Sequence, residues 1–339
     1  MSHVLVTGGG GYVGSVLVPL LLESGARVTV VDRFFFGLDT LRAEEANPGL
    51  TIRRGDVRDI TADDLVDVTA ICDLASLSND PAGEIDPGLT MAVNRDARIR
   101  VACLAREMGI ERYIIASSCS VYGGGDEGEL VEDSEAGPLT TYARAAFEAE
   151  QEVIAMRASG FSPVGLRFAT IFGVSPRMRF DLVVNLMVLT AVEKARIIVM
   201  GGGNQWRPLI HVRDAARAYA HFLDQSDTSV GGRVFNVGHE NFQVMGLAYA
   251  VREALPFEIA IDVAPDDADA RNYRVSFDRA RALGFEADIT VADGASEIYQ
   301  ALKAGMIRST PRTSTVNWYR HLLEAKETLD EVMLDGRLF

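Results

Sequence analysis

Cysteine is scarce in this chain. The three present (Cys72, Cys103 and Cys119) show neither CxxC spacing nor pairing with histidine. That excludes a disulfide framework and the usual zinc motifs, so no metal site is expected. Cys72 and Cys103 sit in apolar segments and read as buried core thiols. Basic residues are in deficit: 33 Lys and Arg face 48 Asp and Glu, a net charge of −15. Nucleic acid and anionic membrane both need a basic surface, so neither is expected as a partner. A small anionic ligand remains compatible wherever a few arginines converge. Long apolar runs are absent. The stretch Val16 to Leu22 is far too short to span a bilayer and has no basic leader. A strand begins directly after Met1-Ser2, so no signal peptide is expected and the expected compartment is the reduced cytoplasm. Internal repeats and low-complexity tracts are also missing.

What is present is an ordinary globular composition, 48% apolar and 24% charged over 339 residues, enough for two lobes. Apolar strands at His3–Thr7, Arg27–Val31, Thr51–Arg54, Ala70–Leu74, Tyr113–Ser117 and Ser162–Arg167 alternate with helical periodicity at Tyr12–Ser24, Thr90–Met108 and Tyr142–Ala158. This βαβ rhythm predicts an α/β fold, a Rossmann-type doubly wound parallel sheet, over residues 1–173. Beyond about Gly173 the rhythm breaks. Helices at Leu182–Lys194, Arg213–Leu223 and Gly246–Leu255 mix with strands at Ile197–Met200, Leu209–His211, Val234–Val237 and Glu258–Asp262. Residues 174–310 therefore read mainly as a smaller mixed α/β substrate lobe, with segments near 207–238 returning to the first domain. Residues 311–339 form a helical extension in which Thr315–Met333 is amphipathic, a packing or dimer element.

The first strand runs directly into Val6-Thr7-Gly8-Gly9-Gly10-Gly11-Tyr12-Val13-Gly14, which opens the first helix. Two frames fit: GxGxxG through Gly9, Gly11 and Gly14, and GxxGxxG through Gly8, Gly11 and Gly14. Glycine permits the tight turn and lets backbone amides approach a pyrophosphate at the helix N-terminus. Asp32 follows 18 residues after Gly14, where a carboxylate accepts from a ribose 2′-OH and repels a 2′-phosphate. That favours NAD. Arg33 beside it pulls towards a 2′-phosphate and leaves NADP open. Asp56, in Gly55-Asp56-Val57, suits an adenine contact or a helix-capping turn.

With these residues in place the chain resembles the extended short-chain dehydrogenase/reductase family of nucleotide-sugar epimerases and dehydratases. The likeness covers nearly the whole length. Its further landmarks are Leu74-Ala75-Ser76, Asn94, Ser117-Ser118-Cys119-Ser120-Val121-Tyr122-Gly123, Tyr142, Arg167 to Gly173 and Arg207 to Asp214. The resemblance implies that Tyr142 is the acid/base and that Ser118 hydrogen-bonds the reacting sugar oxygen. It places Gly8, Gly11, Tyr12, Val13, Gly14, Asp32, Arg33, Asp56, Val57, Leu74, Ala75, Ser76, Asn94, Ser117, Tyr142, Phe168 and Thr170 at the cofactor NAD. Asn185, Arg207 and Arg271, with Thr170, would hold a nucleotide-diphosphate sugar. It also implies a homodimer built on the helices Thr90–Met108 and Tyr142–Ala158, with Val101, Leu104, Phe147 and Ile154 as an apolar stripe that ordinary core would equally explain.

Three departures stand out. Ala146 occupies the position, four after Tyr142 and on the same helix face, where the family has a lysine. Arg144 cannot replace it, because two residues turn the helix by about 200°. A substituted lysine, a natural absence with slow or different chemistry, and a non-catalytic binding role all fit; the intact glycines, Tyr142 and Ser118 favour the first two. Cys119 and Ser120 stand where the family's 4,6-dehydratases carry an Asp-Glu pair, which counts against a standard dehydration. Cys119 is either an acid for another elimination or a packed thiol. Asn79 and Asp80, in the loop after the fourth strand, touch the sugar or merely form a turn. The leading expectation is an NAD-dependent epimerase working through a transient 4-keto sugar and impaired by Ala146. A dehydratase, a keto-sugar reductase and a non-catalytic NAD and sugar-nucleotide binding protein are the alternatives.

Overall fold

The computed structural model describes residues 2–264, 271–334 and 336–337, without the side chains of 125–127. Seven parallel strands form the central sheet in the spatial order Arg233–Val237, Ser162–Phe168, Arg112–Ser118, Ala70–Asp73, His3–Thr7, Arg27–Asp32 and Leu50–Arg54. The interior strands are apolar on both faces, as a sheet covered on both sides requires: Val4, Leu5 and Val6 are all buried. Helices Gly14–Glu23 and Val212–Asp224 pack together on one face, and Arg98–Glu107 and Thr141–Ala155 on the other. The strand order reverses between His3–Thr7 and Ala70–Asp73. At such a switch point the crevice outside the carboxyl ends of the strands is open to a ligand.

A second core gathers Phe172, Val184, Val188, Leu247, Val291 and Ile298. It lies beneath a three-stranded sheet of Glu240–Gln243, Trp206–His211 and Thr170–Phe172. Two small parallel pairs, Ala260–Val263 with Arg196–Val199 and Asn272–Val275 with Gly124–Leu130, complete the strands. Among the described residues no helix is long and apolar enough to cross a membrane.

One expected helix is not uniform. Thr90–Met108 resolves into a turn of α-helix at Pro87–Met91, a wide π-type turn at Ala92–Ala97 and regular α-helix from Arg98 to Glu107. Side-chain periodicity cannot reveal such a widening, which costs one residue of register and is frequent beside functional sites. Both Asn94, within it, and Arg98, just after it, are buried.

Candidate active site

The crevice opens into a cavity of about 770 Å³. The glycine turn forms one wall. Its tightness is enforced at Gly14, where a Cβ would stand 2.5 Å from the Gly8 carbonyl oxygen and 2.6 Å from the Gly9 Cα. A side chain there would fill the cradle that a pyrophosphate needs, so the turn fits a dinucleotide. Asp32 is locked beside it, its carboxylate accepting from the Gly10 amide at 2.9 Å and the Phe34 amide at 2.6 Å. Burial raises its pKa, and those two amides offset part of the rise. Each oxygen keeps a lone pair for a ribose hydroxyl. Arg33 is spent on Asp56, 2.8 Å away, and stacks over Phe35. Asp56 caps a short 3₁₀ turn through the Arg58 amide, and Arg58 also holds its carboxyl well below the usual range.

The ends of three strands are tied by one buried network. Arg98 Nε donates to Asp73 Oδ2 at 2.8 Å, and its Nη2 donates to the carbonyls of Asp73 and Ala116. Thr7 Oγ1 donates to Asp73 Oδ1 at 2.6 Å and accepts from the amides of Leu74 and Ala75. Tyr113 donates to Asp73 as well. A buried ion pair with every partner satisfied is rigid, and here it fixes the floor of the crevice.

Tyr142 enters from the first turn of the Thr141–Ala155 helix, which Thr140 caps by accepting from the Ala143 amide. The helical turn ending at Gly83 presses against it so closely that a Cβ there would lie 2.9 Å from the Tyr142 Cβ. The hydroxyl of Tyr142 lies close enough to Ser118 for the serine to favour its ionised form. Ser118 Oγ in turn accepts from the Ser120 amide at 3.1 Å and the Ser120 hydroxyl at 2.9 Å, so its own proton is free to point outward. Burial raises the Tyr142 pKa, and the Asp80 carboxylate acts in the same direction; Arg179, Arg98 and Ser118 pull against it. Ala146 lines the same cavity and is 4% exposed. The chain has three lysines, Lys194, Lys303 and Lys326, and none of them lines it.

Most of the expected residues converge on this cavity: Gly8, Gly11, Tyr12, Val13, Gly14, Asp32, Arg33, Asp56, Val57, Leu74, Ala75, Ser76, Ser117, Ser118, Tyr142, Phe168 and Thr170 line it, as do Asn79, Asp80, Arg207 and Arg271. Asp80 ion-pairs with Arg271 and accepts from Thr140. Arg207 donates to the carbonyls of Trp206 and Arg271. Asn79 caps the following helical turn and donates to Asp181 at 3.0 Å.

Three expected contacts are placed elsewhere. Asn94 does not line the cavity; it clamps the Leu77 backbone, accepting from its amide and donating to its carbonyl. Cys119 is buried, its thiol donating to the Arg167 carbonyl, and burial raises its pKa; it reads as a packed thiol rather than an acid. Asn185 is fully buried and accepts from the Gly173 amide while donating to the Tyr12 hydroxyl and the Arg179 carbonyl. In each case the side chain turns toward groups of the protein, mostly backbone, instead of the cavity.

Other lining residues escaped the sequence reading. Arg177, Arg179 and Asp181 come from the loop after Thr170–Phe172, and Phe36 and Tyr319 close the cofactor side. Arg179 grips Asp181 with two bonds of 3.0 Å and reaches Ser78 at 3.2 Å. The only signal was the density of arginine in Pro176-Arg177-Met178-Arg179 of an acidic chain.

A model of the "NAD dependent epimerase/dehydratase family" matches residues 4–238. UDP-glucuronic acid decarboxylase 2 of Arabidopsis thaliana is 28% identical over 86% of this chain, which spans 66% of the plant protein's length. UDP-glucose 4-epimerase of Corynebacterium glutamicum is 24% identical over 77% of this chain and 83% of its own length. Among solved structures, MoeE5 in complex with UDP-glucose and NAD is 25% identical with a TM-score of 0.77, covering 90% of this chain and 100% of that one. UDP-N-acetylglucosamine 4-epimerase from Methanobrevibacter ruminantium M1 shares the fold at a TM-score of 0.81, with 22% identity over 90% of this chain and 99% of its own.

Proposed function

We propose, on the premise that this chain belongs to the NAD dependent epimerase/dehydratase family, that it epimerises a nucleotide-diphosphate sugar through a transient 4-keto intermediate. NAD is the cofactor, and when bound it accepts and returns the hydride at the reacting carbon. The observation that carries the reading is the joint placement of Tyr142 and Ser118 in a cavity walled by the glycine turn and lined by Arg207 and Arg271. Ser118 offers its proton to the sugar oxygen and orients it. Tyr142 removes that oxygen's proton as the carbonyl forms and gives it back on reduction, general acid–base work on a single hydroxyl. Arg207 and Arg271 supply cationic donors that suit a diphosphate.

Two features favour epimerisation over dehydration. Neither residue 119 nor residue 120 is a carboxylate, and the Cys119 thiol faces the Arg167 carbonyl instead of the cavity. With no ammonium at position 146, only Arg179, Arg98 and Ser118 offset the rise that burial and Asp80 impose on the Tyr142 pKa, so turnover near neutral pH is slow. A homodimer through the Arg98–Glu107 and Thr141–Ala155 helices is part of the proposal. Val101 is buried within the protomer, leaving the half-buried Leu104, Phe147 and Ile154 for a partner.

The deciding experiment is a panel of nucleotide sugars, UDP-glucose, UDP-glucuronic acid and UDP-N-acetylglucosamine among them, with products resolved by chromatography and mass spectrometry. An epimer of unchanged mass is the expected product. Loss of water or of carbon dioxide would replace this reading with elimination or decarboxylation. No product from this protein or from Ala146→Lys, with NAD and sugar nucleotide still bound, would leave a binding role.

A further inference from the structure

Arg177 is 4% exposed and lines the cavity, yet its Nη1 has no hydrogen-bond acceptor. The other end of the guanidinium is fixed: Nη2 donates to Thr315 Oγ1 at 2.8 Å, and the plane lies over the Phe36 ring, 3.6 Å from its centroid. No carboxylate among the described residues forms an ion pair with it. Asp181, the carboxylate that acts on it most strongly through space, is committed to Arg179, Asn79 and the Thr315 amide. A buried cation with an idle donor is costly, and a protein keeps one where a ligand completes it.

The loop that carries Arg177 is stapled to the glycine turn. Tyr12 donates its hydroxyl to the Gly173 carbonyl at 2.6 Å. Ser175 donates to the Tyr12 carbonyl at 2.7 Å, and its hydroxyl also lies 3.0 Å from that of Ser15. Arg177 is close enough to bias both Tyr12 and Asp32 electrostatically. Burial, with Arg179 adding to it, lowers its own pKa to about 9, which still leaves it cationic at neutral pH.

We propose that Arg177 is a pyrophosphate ligand of the dinucleotide, its Nη1 donating to a phosphate oxygen held against the amides of the Gly11–Gly14 turn. The second lobe thereby contributes a charge to a subsite that the first lobe otherwise forms from backbone alone. This holds whichever reaction the enzyme performs, since it concerns the cofactor and not the sugar.

The test is calorimetric binding of NADH, ADP-ribose, adenosine and UDP to the parent protein, to Arg177→Met and to Arg177→Lys. Methionine retains the stack on Phe36 and removes only the charge and donors. NADH and ADP-ribose should bind Arg177→Met about 10- to 100-fold more weakly, the worth of one charge-assisted hydrogen bond. Adenosine and UDP should stay within about threefold. The ligand-free melting temperature should hold or rise, because an unpaired buried charge has been removed. Arg177→Lys keeps a charge in a poorer position and should lose about 3- to 10-fold on the diphosphate ligands alone; it decides the matter if Arg177→Met does not fold. Equal weakening of adenosine and ADP-ribose would mean a shape effect and overturn the proposal. Weakening confined to UDP would assign the arginine to the substrate, and unchanged NADH affinity would leave it with no ligand role; either result also overturns it.

Discussion

Replacing Ala146 by lysine is the perturbation from which most can be learned. The position lies one helical turn after Tyr142 and opens on the same cavity. Side chains at this spacing stand roughly 5–6 Å apart. At an effective dielectric of ~20, unit charges at that distance interact by about 3 kcal/mol. That corresponds to a roughly 100-fold larger phenolate fraction at fixed pH. Desolvation of the new ammonium takes back part, leaving a gain of about 10- to 100-fold in kcat near pH 7. The sign follows from the base form. Burial raises the Tyr142 pKa, so the phenolate is scarce at neutral pH and grows as pH rises. Turnover of the parent should therefore climb about tenfold per pH unit, while in Ala146→Lys the climb should level off at a lower pH. The assay is kcat against pH on whichever nucleotide sugar turns over, with Ala146→Met as an uncharged control of similar size. A lysine variant no faster than the methionine one, with the same pH slope and undiminished NADH binding, would refute Tyr142 as the titrating base.

Three further outcomes follow from the geometry. Tyr142→Phe should lower kcat by about 10²- to 10⁴-fold, the usual worth of a positioned acid/base, while NADH and UDP bind as before; retained turnover would place the base elsewhere. Gly14→Ala puts a methyl group 2.5 Å from the Gly8 carbonyl oxygen. Opening the turn to admit it costs about 1–3 kcal/mol, read as a roughly 10- to 100-fold loss of NADH affinity with UDP unaffected. Arg98→Met strands the buried Asp73 carboxylate and two carbonyls. A loss of about 3–5 kcal/mol is expected, or roughly 10 °C in Tm; an unchanged Tm would show that Asp73 needs no such partner.

The sequence made the cofactor half legible because its signals are local. A strand, a glycine turn, a helix and an acidic residue at the end of the next strand are all read within about one βαβ unit, and Tyr142 and Ser118 sit where strand and helix ends predict. What stayed hidden is what depends on distant partners. Arg177 and Arg179 acquire meaning only because Tyr12, Ser15, Ser78 and Thr315 hold their loop in place. Asn94 and Asn185 lie within expected helices and Cys119 just past an expected strand, yet no periodicity says whether a polar side chain faces a ligand or a backbone group. The amphipathic Thr315–Val332 helix likewise reads as a packing or dimer element until Tyr319 is seen lining the cavity.

The indole of Trp318 donates to the Phe35 carbonyl at 2.6 Å, across 283 residues of chain, and Tyr319 packs on the rings of Phe35 and Phe36. The nucleotide cleft is thus begun by early residues and walled by late ones. At ribosomal speeds of ~5–20 residues per second the separation amounts to tens of seconds. Throughout that interval Phe35 and Phe36 lack the cover that Trp318 and Tyr319 later supply. The wall that early residues begin is the last part of the cleft to be built, so its closure depends on the far end of the chain being in place.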